Sequence, residues 1–355
     1  MKKYYILLIV LFIASNILAQ NGFKYTDGHL LGLKGSFFAS ADDYNRIDSV
    51  QRLPLPARVQ ELAQNSAGLS LNFETDAKSI RIKWELEKYM NLWNMTPVAI
   101  NGLDLYAFEN NKWQYVASAR PTDEKNSVLL IDQLDGKLRK YRLYLPLYSK
   151  LTKLEVGVPD SANIKTWAHP FTDKRKVVIY GSSITQGASA SRPGMAYPSI
   201  ISRKMGLETF NLGFSGSGKM EFDIAKILAK IPADVYVLDC VPNPTPQQIK
   251  ERSYPFIKYL RSQKPEIPII MMESVYRETA HWNNKTKTMV EQQNQAFKNT
   301  YNKLYAENQK HLYYITSDKL IGTDHEATID GTHLTDLGFM RISETVMKHL
   351  KLVLK

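Results

Sequence analysis

The spacing of apolar residues changes period once along this chain, and that change limits the fold more than any other feature. Up to about residue 160, apolar and polar residues alternate, as in Leu69-Ser70-Leu71-Asn72-Phe73, Ile80-Arg81-Ile82-Lys83-Trp84, Tyr141-Arg142-Leu143-Tyr144-Leu145 and Leu154-Glu155-Val156-Gly157-Val158. Successive side chains of a strand point to opposite faces, so alternation buries one face and wets the other, the pattern of an antiparallel sandwich. Turn-rich spacers such as Glu109-Asn110-Asn111-Lys112 and Asp135-Gly136 divide these runs. From Lys176 onward the apolar residues form short continuous runs separated by helix-length amphipathic segments. Parallel strands covered by helices on both faces read this way. Strands are expected near Val177–Tyr180, Thr209–Leu212, Val235–Cys240, Ile267–Met272 and Leu312–Ile315.

The expected fold class is therefore α/β, a parallel sheet flanked by helices, preceded by an all-β sandwich. A helix should start at Thr245-Pro246-Gln247-Gln248, which combines an N-cap hydroxyl, Pro at the first helical position and Gln at the third, with Pro255 expected to kink it. The last helix should begin near Asp336 and bury Phe339, Ile342, Val346 and Leu350. Pro159 to Lys174 has few periodic apolar positions and reads as the connection, giving expected domains at 20–172 and 173–355.

At the start, Lys2 and Lys3 precede the apolar run Tyr4 to Ile13, and Ser15 to Ala19 gives a small-residue exit. This reads as a secretory signal peptide over residues 1–19, with an exported, periplasmic or extracellular product. The apolar stretch is shorter than the roughly 20 residues a spanning helix needs, so no stable membrane insertion is expected after cleavage. The single cysteine, Cys240, excludes an intramolecular disulfide. Net charge is +11, or +9 once Lys2 and Lys3 are removed, leaving 44 basic and 35 acidic residues. The basic residues are dispersed, which fits a solvated surface better than a binding tail, and nucleic acid is not an expected partner.

Chemistry concentrates in two places. Tyr180-Gly181-Ser182-Ser183-Ile184-Thr185 follows Val177-Val178-Ile179, putting a hydroxyl where a buried strand breaks into a turn. In open parallel sheets, ligands bind beyond the carboxyl ends of the strands. Far downstream, Asp330-Gly331-Thr332-His333 supplies a carboxylate and an imidazole three residues apart, between the last strand and the last helix. These are the group types that acyl transfer needs: Ser183 as nucleophile, His333 as base and Asp330 to orient it. Alone, Ser183 reads more readily as an ordinary helix N-cap, and the downstream Asp330 and His333 reverse that preference. The neighbouring Asp324-His325 pair lacks the three-residue spacing and is the weaker competitor.

The order Ser, Gly, Asn, then Asp-x-x-His resembles the SGNH (GDSL-type) hydrolases over roughly the second half of the chain. Asn211-Leu212-Gly213-Phe214-Ser215-Gly216 matches that family's second block, and Asp239-Cys240-Val241-Pro242-Asn243 sits where the third places its Asn. Asn101-Gly102-Leu103-Asp104-Leu105-Tyr106 resembles the Gly-x-Asp-Leu-Tyr signature of an N-terminal domain attached to one branch of the family. The resemblance implies a flavodoxin-like sheet behind a jelly-roll-like sandwich. It implies an oxyanion hole made of the backbone N–H groups of Ser183 and Gly216 and the side-chain amide of Asn243. Ser182 replaces the Asp that usually precedes the nucleophile, and Val-Pro-Asn-Pro replaces Gly-x-Asn-Asp in the third block. These departures bear on loop geometry and substrate preference.

Gly213 to Lys219 also follows a strand and matches a phosphate-binding loop until Met220, where a Ser or Thr is needed for Mg²⁺. No cofactor is expected, and no metal site is suggested by ligand spacing. The residues lead to the expectation of a serine esterase, and the resemblance together with the expected export implies that it acts on short acyl esters, acetyl foremost, of carbohydrate. The alternative is a carbohydrate-binding protein with a vestigial hydrolase half, in which Trp84, Trp93, Trp113 and Tyr106 stack on sugar rings instead of filling the sandwich core.

Overall fold

The computed structural model describes residues 22–38, 43–318 and 320–355. The expected signal peptide lies outside them. Before residue 167 the described strands are β1 (Phe23–Asp27), β2 (Leu33–Lys34), β3 (Ser70–Thr75), β4 (Ile80–Leu86), β5 (Leu103–Glu109), β6 (Lys112–Ala119), β7 (Lys125–Ile131), β8 (Arg139–Tyr144), β9 (Leu151–Pro159) and β10 (Ile164–Thr166). They form two antiparallel sheets, one ordered β1-β9-β4-β7 and the other β10-β3-β8-β5-β6, with β2 beside β3. Alternation does what its period requires. Ile80, Ile82, Trp84 and Leu86 of β4 and Leu154, Val156 and Val158 of β9 share one core with Leu71, Phe73, Leu105 and Leu143 of the second sheet. Each such side chain contributes roughly 1.5–3 kcal/mol by leaving water. Part of the segment expected as a plain connection is β10, which pairs with β3 and so closes that sheet edge.

The second half contains β11 (Lys176–Gly181), β12 (Glu208–Gly213), β13 (Val235–Asp239), β14 (Ile269–Met272) and β15 (Leu312–Ile315), all parallel, in the order β12-β11-β13-β14-β15. The helices are α1 (Ser183–Gln186), α2 (Tyr197–Met205), α3 (Phe222–Lys230), α4 (Pro246–Gln263), α5 (Asn284–Ala306) and α6 (Asp336–Val353). The continuous apolar runs serve two cores. Val177, Ile179, Val237 and Ile270 pack with α2 and α6, while Val178, Tyr180, Tyr236, Leu238 and Ile269 pack with α3, α4 and α5. α4 starts with the expected capping box, Thr245 and Gln248 each bonding the other's backbone, and carries Pro255 inside it.

Two features of this order position a site. The chain leaves β11 toward β12 on one side and returns to β13 on the other, so a crevice opens above the carboxyl end of β11. The N-terminal part also does not stand apart, since Ala67, Ile100, Leu147 and Tyr148 join one core of the parallel sheet and Ile47, Leu55, Val59 and Leu62 join the other. Among the described residues no helix is long and apolar enough to cross a membrane.

Candidate active site

β11 runs out at Gly181, where a Cβ would meet the Asp239 carbonyl oxygen at 2.5 Å and the Thr185 hydroxyl closer still. Glycine is what lets β11 and β13 close up beneath the turn. Ser182 is the N-cap of α1, its hydroxyl accepting from Ile184 N–H at 3.2 Å. That leaves the Ser183 hydroxyl free of capping duty, so the duller reading of this residue falls to its neighbour. Ser183 Oγ lies 2.9 Å from His333 Nε2.

His333 Nδ1 is 2.7 Å from Asp330 Oδ2, and the other carboxylate oxygen accepts from the backbone N–H of His333 at 2.7 Å and of Thr332 at 2.9 Å. Burial works against ionisation of Asp330, but the donors from His333, Asn94 and Thr332 outweigh it and hold its pKa at about 2. Asp330 therefore stays a carboxylate over the whole physiological range. Hydroxyl, imidazole and carboxylate form one hydrogen-bonded chain, able to remove the serine proton and stabilise the resulting imidazolium. The competing pair is dispersed: Asp324 binds Arg341 and His325 binds Glu278.

Gly216 has φ +66° and open space where a Cβ would stand, so its main chain is open to close approach. Asn243 lies against the same turn, its amide donating to Phe214 O at 3.3 Å and to Ser217 O. Expected as an oxyanion donor, Asn243 here braces the turn that carries Gly216. The turn is also held by Gln186, whose Oε1 accepts from Ser215 N–H at 3.0 Å. No open phosphate cradle forms at Gly213 to Lys219. The Glu221 carboxylate closes the loop onto itself, accepting from Lys219 N–H at 2.8 Å and Tyr180 O–H at 3.0 Å.

The N-terminal domain reaches the site through residues that no spacing in the sequence announced. Asn94 Nδ2 donates to Asp330 Oδ2 at 3.0 Å and lies 3.3 Å from His333 Nδ1. A cavity of about 420 Å³ reaches His333 and Ser215, and its wall includes Leu62, Met90, Leu92, Trp93 and Tyr148 together with the charged Arg58, Glu87 and Lys150. The Gly-x-Asp-Leu-Tyr string explains how the domains hold register. Asp104 is fully buried on β5 and accepts from Arg192 at 2.8 Å and from Gly194 N–H at 2.9 Å, while the Arg203 guanidinium lies 4.0 Å from the Tyr106 ring centroid. The motif clamps the loop leading into α2.

One buried acid was not singled out for any role. Asp239 ends β13, with Oδ2 accepting from Thr185 at 2.7 Å and Tyr197 at 3.0 Å and Oδ1 without a partner. Burial raises its pKa to about 7 against the pull of those two hydroxyls. The folded state thus holds this proton more tightly than the unfolded chain does. Its stabilising contribution is complete below about pH 4 and is lost as pH rises through about 7. At about 1.36 kcal/mol per unit, the loss is a few kcal/mol. Asp239→Asn should flatten this dependence, seen as a stability gap between variant and wild type that shifts toward the variant between pH 4.5 and 7.5 in urea titrations. A gap that stays constant with pH would show that Asp239 does not titrate in that window.

Comparisons with known proteins agree with this architecture. Residues 174–351 match the model of the GDSL-like lipase/acylhydrolase family, and residues 23–164 match that of the GxDLY N-terminus of SGNH hydrolase-type esterases. A crystal structure assigned to a GDSL-like lipase from Bacteroides ovatus ATCC 8483 is 41% identical, covering 94% of this chain and 98% of that one with a TM-score of 0.91. The salicylyl-acyltransferase SsfX3 from a tetracycline biosynthetic pathway (17% identity, 94% and 98% coverage, TM-score 0.74) shares the fold. So does the acetyl xylan esterase Est2A from the rumen bacterium Butyrivibrio proteoclasticus (11%, 94% and 99%, 0.58). A comparison with curated proteins returned no match. With both domain models matched in order and a full-length relative at this identity, the chain belongs to the GDSL-like (SGNH) lipase/acylhydrolase family, with the GxDLY domain at its N-terminus.

Proposed function

We propose that this hydrolase is an exported serine esterase that removes short acyl groups, acetyl foremost, from carbohydrate. The observation that carries the reading is the hydrogen-bonded chain from Ser183 through His333 to Asp330 at the mouth of a cavity. Ser183 Oγ attacks the ester carbonyl while His333 Nε2 takes its proton. The same imidazolium then protonates the departing sugar oxygen, leaving an acyl-enzyme. Water, deprotonated by His333, hydrolyses that intermediate and restores the serine. The oxyanion is received by the backbone N–H groups of Ser183 and Gly216, and by the Asn243 amide once it lets go of the Ser217 carbonyl; each such donor is worth about 2.7–4 kcal/mol in the transition state. Ala188 and Ser215, both small, line the same cavity as His333, which fits a small acid.

Carbohydrate as the alcohol portion is supported by one aromatic ring. Of the four candidates for stacking, Trp84 and Tyr106 are buried and Trp113 is sandwiched by Arg142, Phe108 and Trp167, whereas Trp93 is 84% exposed at the cavity rim. An indole face held in water beside the triad suits the apolar face of a sugar ring. Trp93→Ala should raise KM for acetylated polysaccharide about three- to tenfold, as expected for loss of one stacking contact. p-Nitrophenyl acetate, which has no sugar, should be turned over as before. Equal effects on both substrates would remove the platform, and no acetate release from any acetylated polysaccharide would remove carbohydrate as substrate. The rival reading, a glycan binder with a vestigial hydrolase half, is opposed by the unbroken triad. A fluorophosphonate probe separates the two, labelling Ser183 only in an enzyme.

A further inference from the structure

The fold gathers Glu278, His281 and His325, a carboxylate and two imidazoles that the esterase reaction does not use, so that their ligand atoms all lie within 4.8 Å of one another. Glu278 and His281 are the ends of one 3-10 turn. With three residues per turn, positions i and i+3 eclipse, so the two side chains project from the same face. His325 comes from the distant loop that also bears Asp330 and His333. It is brought in by Asp324, which pairs in bidentate fashion with Arg341 of α6 at 2.6 and 2.7 Å, and by a backbone with φ +64°. His325 Nδ1 is 2.7 Å and His281 Nε2 is 3.8 Å from the same oxygen of Glu278. The Tyr276 ring, 4.8 Å from that of His281, limits how far the imidazole can turn away.

We infer that these three side chains form a binding site for a divalent transition metal of the Zn²⁺ class, serving as a clamp and not as part of the acyl-transfer chemistry. Zinc takes His nitrogen and Glu oxygen at about 2.0–2.2 Å in a tetrahedron, which sets its ligand atoms about 3.3 Å apart. The separations here bracket that value, and the side chains of His281 and His325 are 41% and 60% exposed, free to make the small adjustment. Their exposure leaves the fourth position to water. Two neutral imidazoles with one carboxylate give an intermediate-to-hard donor set, which favours Zn²⁺ over Ca²⁺ or Mg²⁺.

The clamp would act where catalysis needs rigidity. The turn bearing Glu278 and His281 already touches both sides of the crevice. Arg277 donates to Pro242 O, next to Asn243, at 2.8 Å. Gly331, between Asp330 and His333, lies so close to Thr279 that a Cβ would meet its methyl group at 2.5 Å. A metal joining Glu278 and His281 to His325 ties the loop of the base to the segment carrying Asn243.

The test uses the full, tag-free mature chain and Zn²⁺ alone, with calorimetry for affinity and hydrogen exchange for the loop. One equivalent should bind at micromolar metal, and exchange should slow at residues 324–334. His281→Ala and His325→Ala should each weaken binding at least tenfold, with Glu278→Gln as a third, nearly isosteric variant should either histidine variant misfold. Binding only at millimolar Zn²⁺, an affinity unchanged in these variants, or unchanged exchange at 324–334 on saturation would each overturn the inference. Esterase assays play no part in the readout, so the proposed function and the metal site stand or fall separately.

Discussion

Ser183→Ala is expected to lower kcat for p-nitrophenyl acetate by about 10⁵- to 10⁶-fold, the loss seen when one member of a cooperating triad is removed. The magnitude follows from what remains. Without Oγ, His333 has no nucleophile to deprotonate except water, and oxyanion donors alone retain only about 10³–10⁴ over the uncatalysed rate. The fold should hardly register the change. Ser182, not Ser183, caps α1, and alanine is a good residue for the first turn of a helix. Melting temperature should thus move by a degree or two at most, which separates a catalytic loss from an unfolded variant. The fluorophosphonate probe should label wild type once and the variant not at all. Turnover within tenfold of wild type, in a variant that melts normally, would move the nucleophile elsewhere.

Much of this was legible from the chain alone, for reasons that particular residues show. The period change predicted both layers because the two patterns bury side chains differently. The strand near Val177–Tyr180 emerged as Lys176–Gly181, and that near Leu312–Ile315 kept its ends. The meeting of Ser183 and His333 was readable because parallel α/β topology brings every strand's carboxyl end to one rim. What escaped reading comes from contacts with no local signal. Asn94 belongs to the other domain and reaches Asp330 from an irregular loop. The four aromatic candidates carried similar local patterns, and only packing distinguishes an exposed Trp93 from a buried Trp84. The contact of the Asn243 amide with the Gly216 turn likewise left no mark in the block that places Asn243. The meeting of Glu278, His281 and His325 has no signal in sequence because one of the three comes from a remote loop.

Arg46→Met is expected to cost about 3–5 kcal/mol of stability, the scale for removing one side of a buried charged network. Arg46 is 1% exposed and has no carboxylate partner among the described residues. Its guanidinium instead donates to four carbonyls, those of Leu62 and Gly213 at 2.6 Å and of Asn65 and Asn211 at 3.0 Å. Burial draws its pKa down to about 9, which leaves it charged at neutral pH. Methionine fills similar length and offers no donor, so four buried acceptors lose their partner at once. Arg46→Lys keeps the charge but supplies a compact ammonium in place of a five-donor fork, so it should fall between the two. The loss should also reach catalysis. Two of the carbonyls, Asn211 O and Gly213 O, belong to the end of β12, and the next residues form the Phe214–Gly216 turn. With Gly216 N–H in its proposed role at the oxyanion, loosening that strand end displaces a hydrogen-bond donor, so kcat should fall about tenfold while KM changes little. Stability and kcat should decline together across wild type, Arg46→Lys and Arg46→Met. A variant as stable as wild type, measured by urea unfolding, would mean that these carbonyls find other partners and that the N-terminal domain does not hold the turn through Arg46.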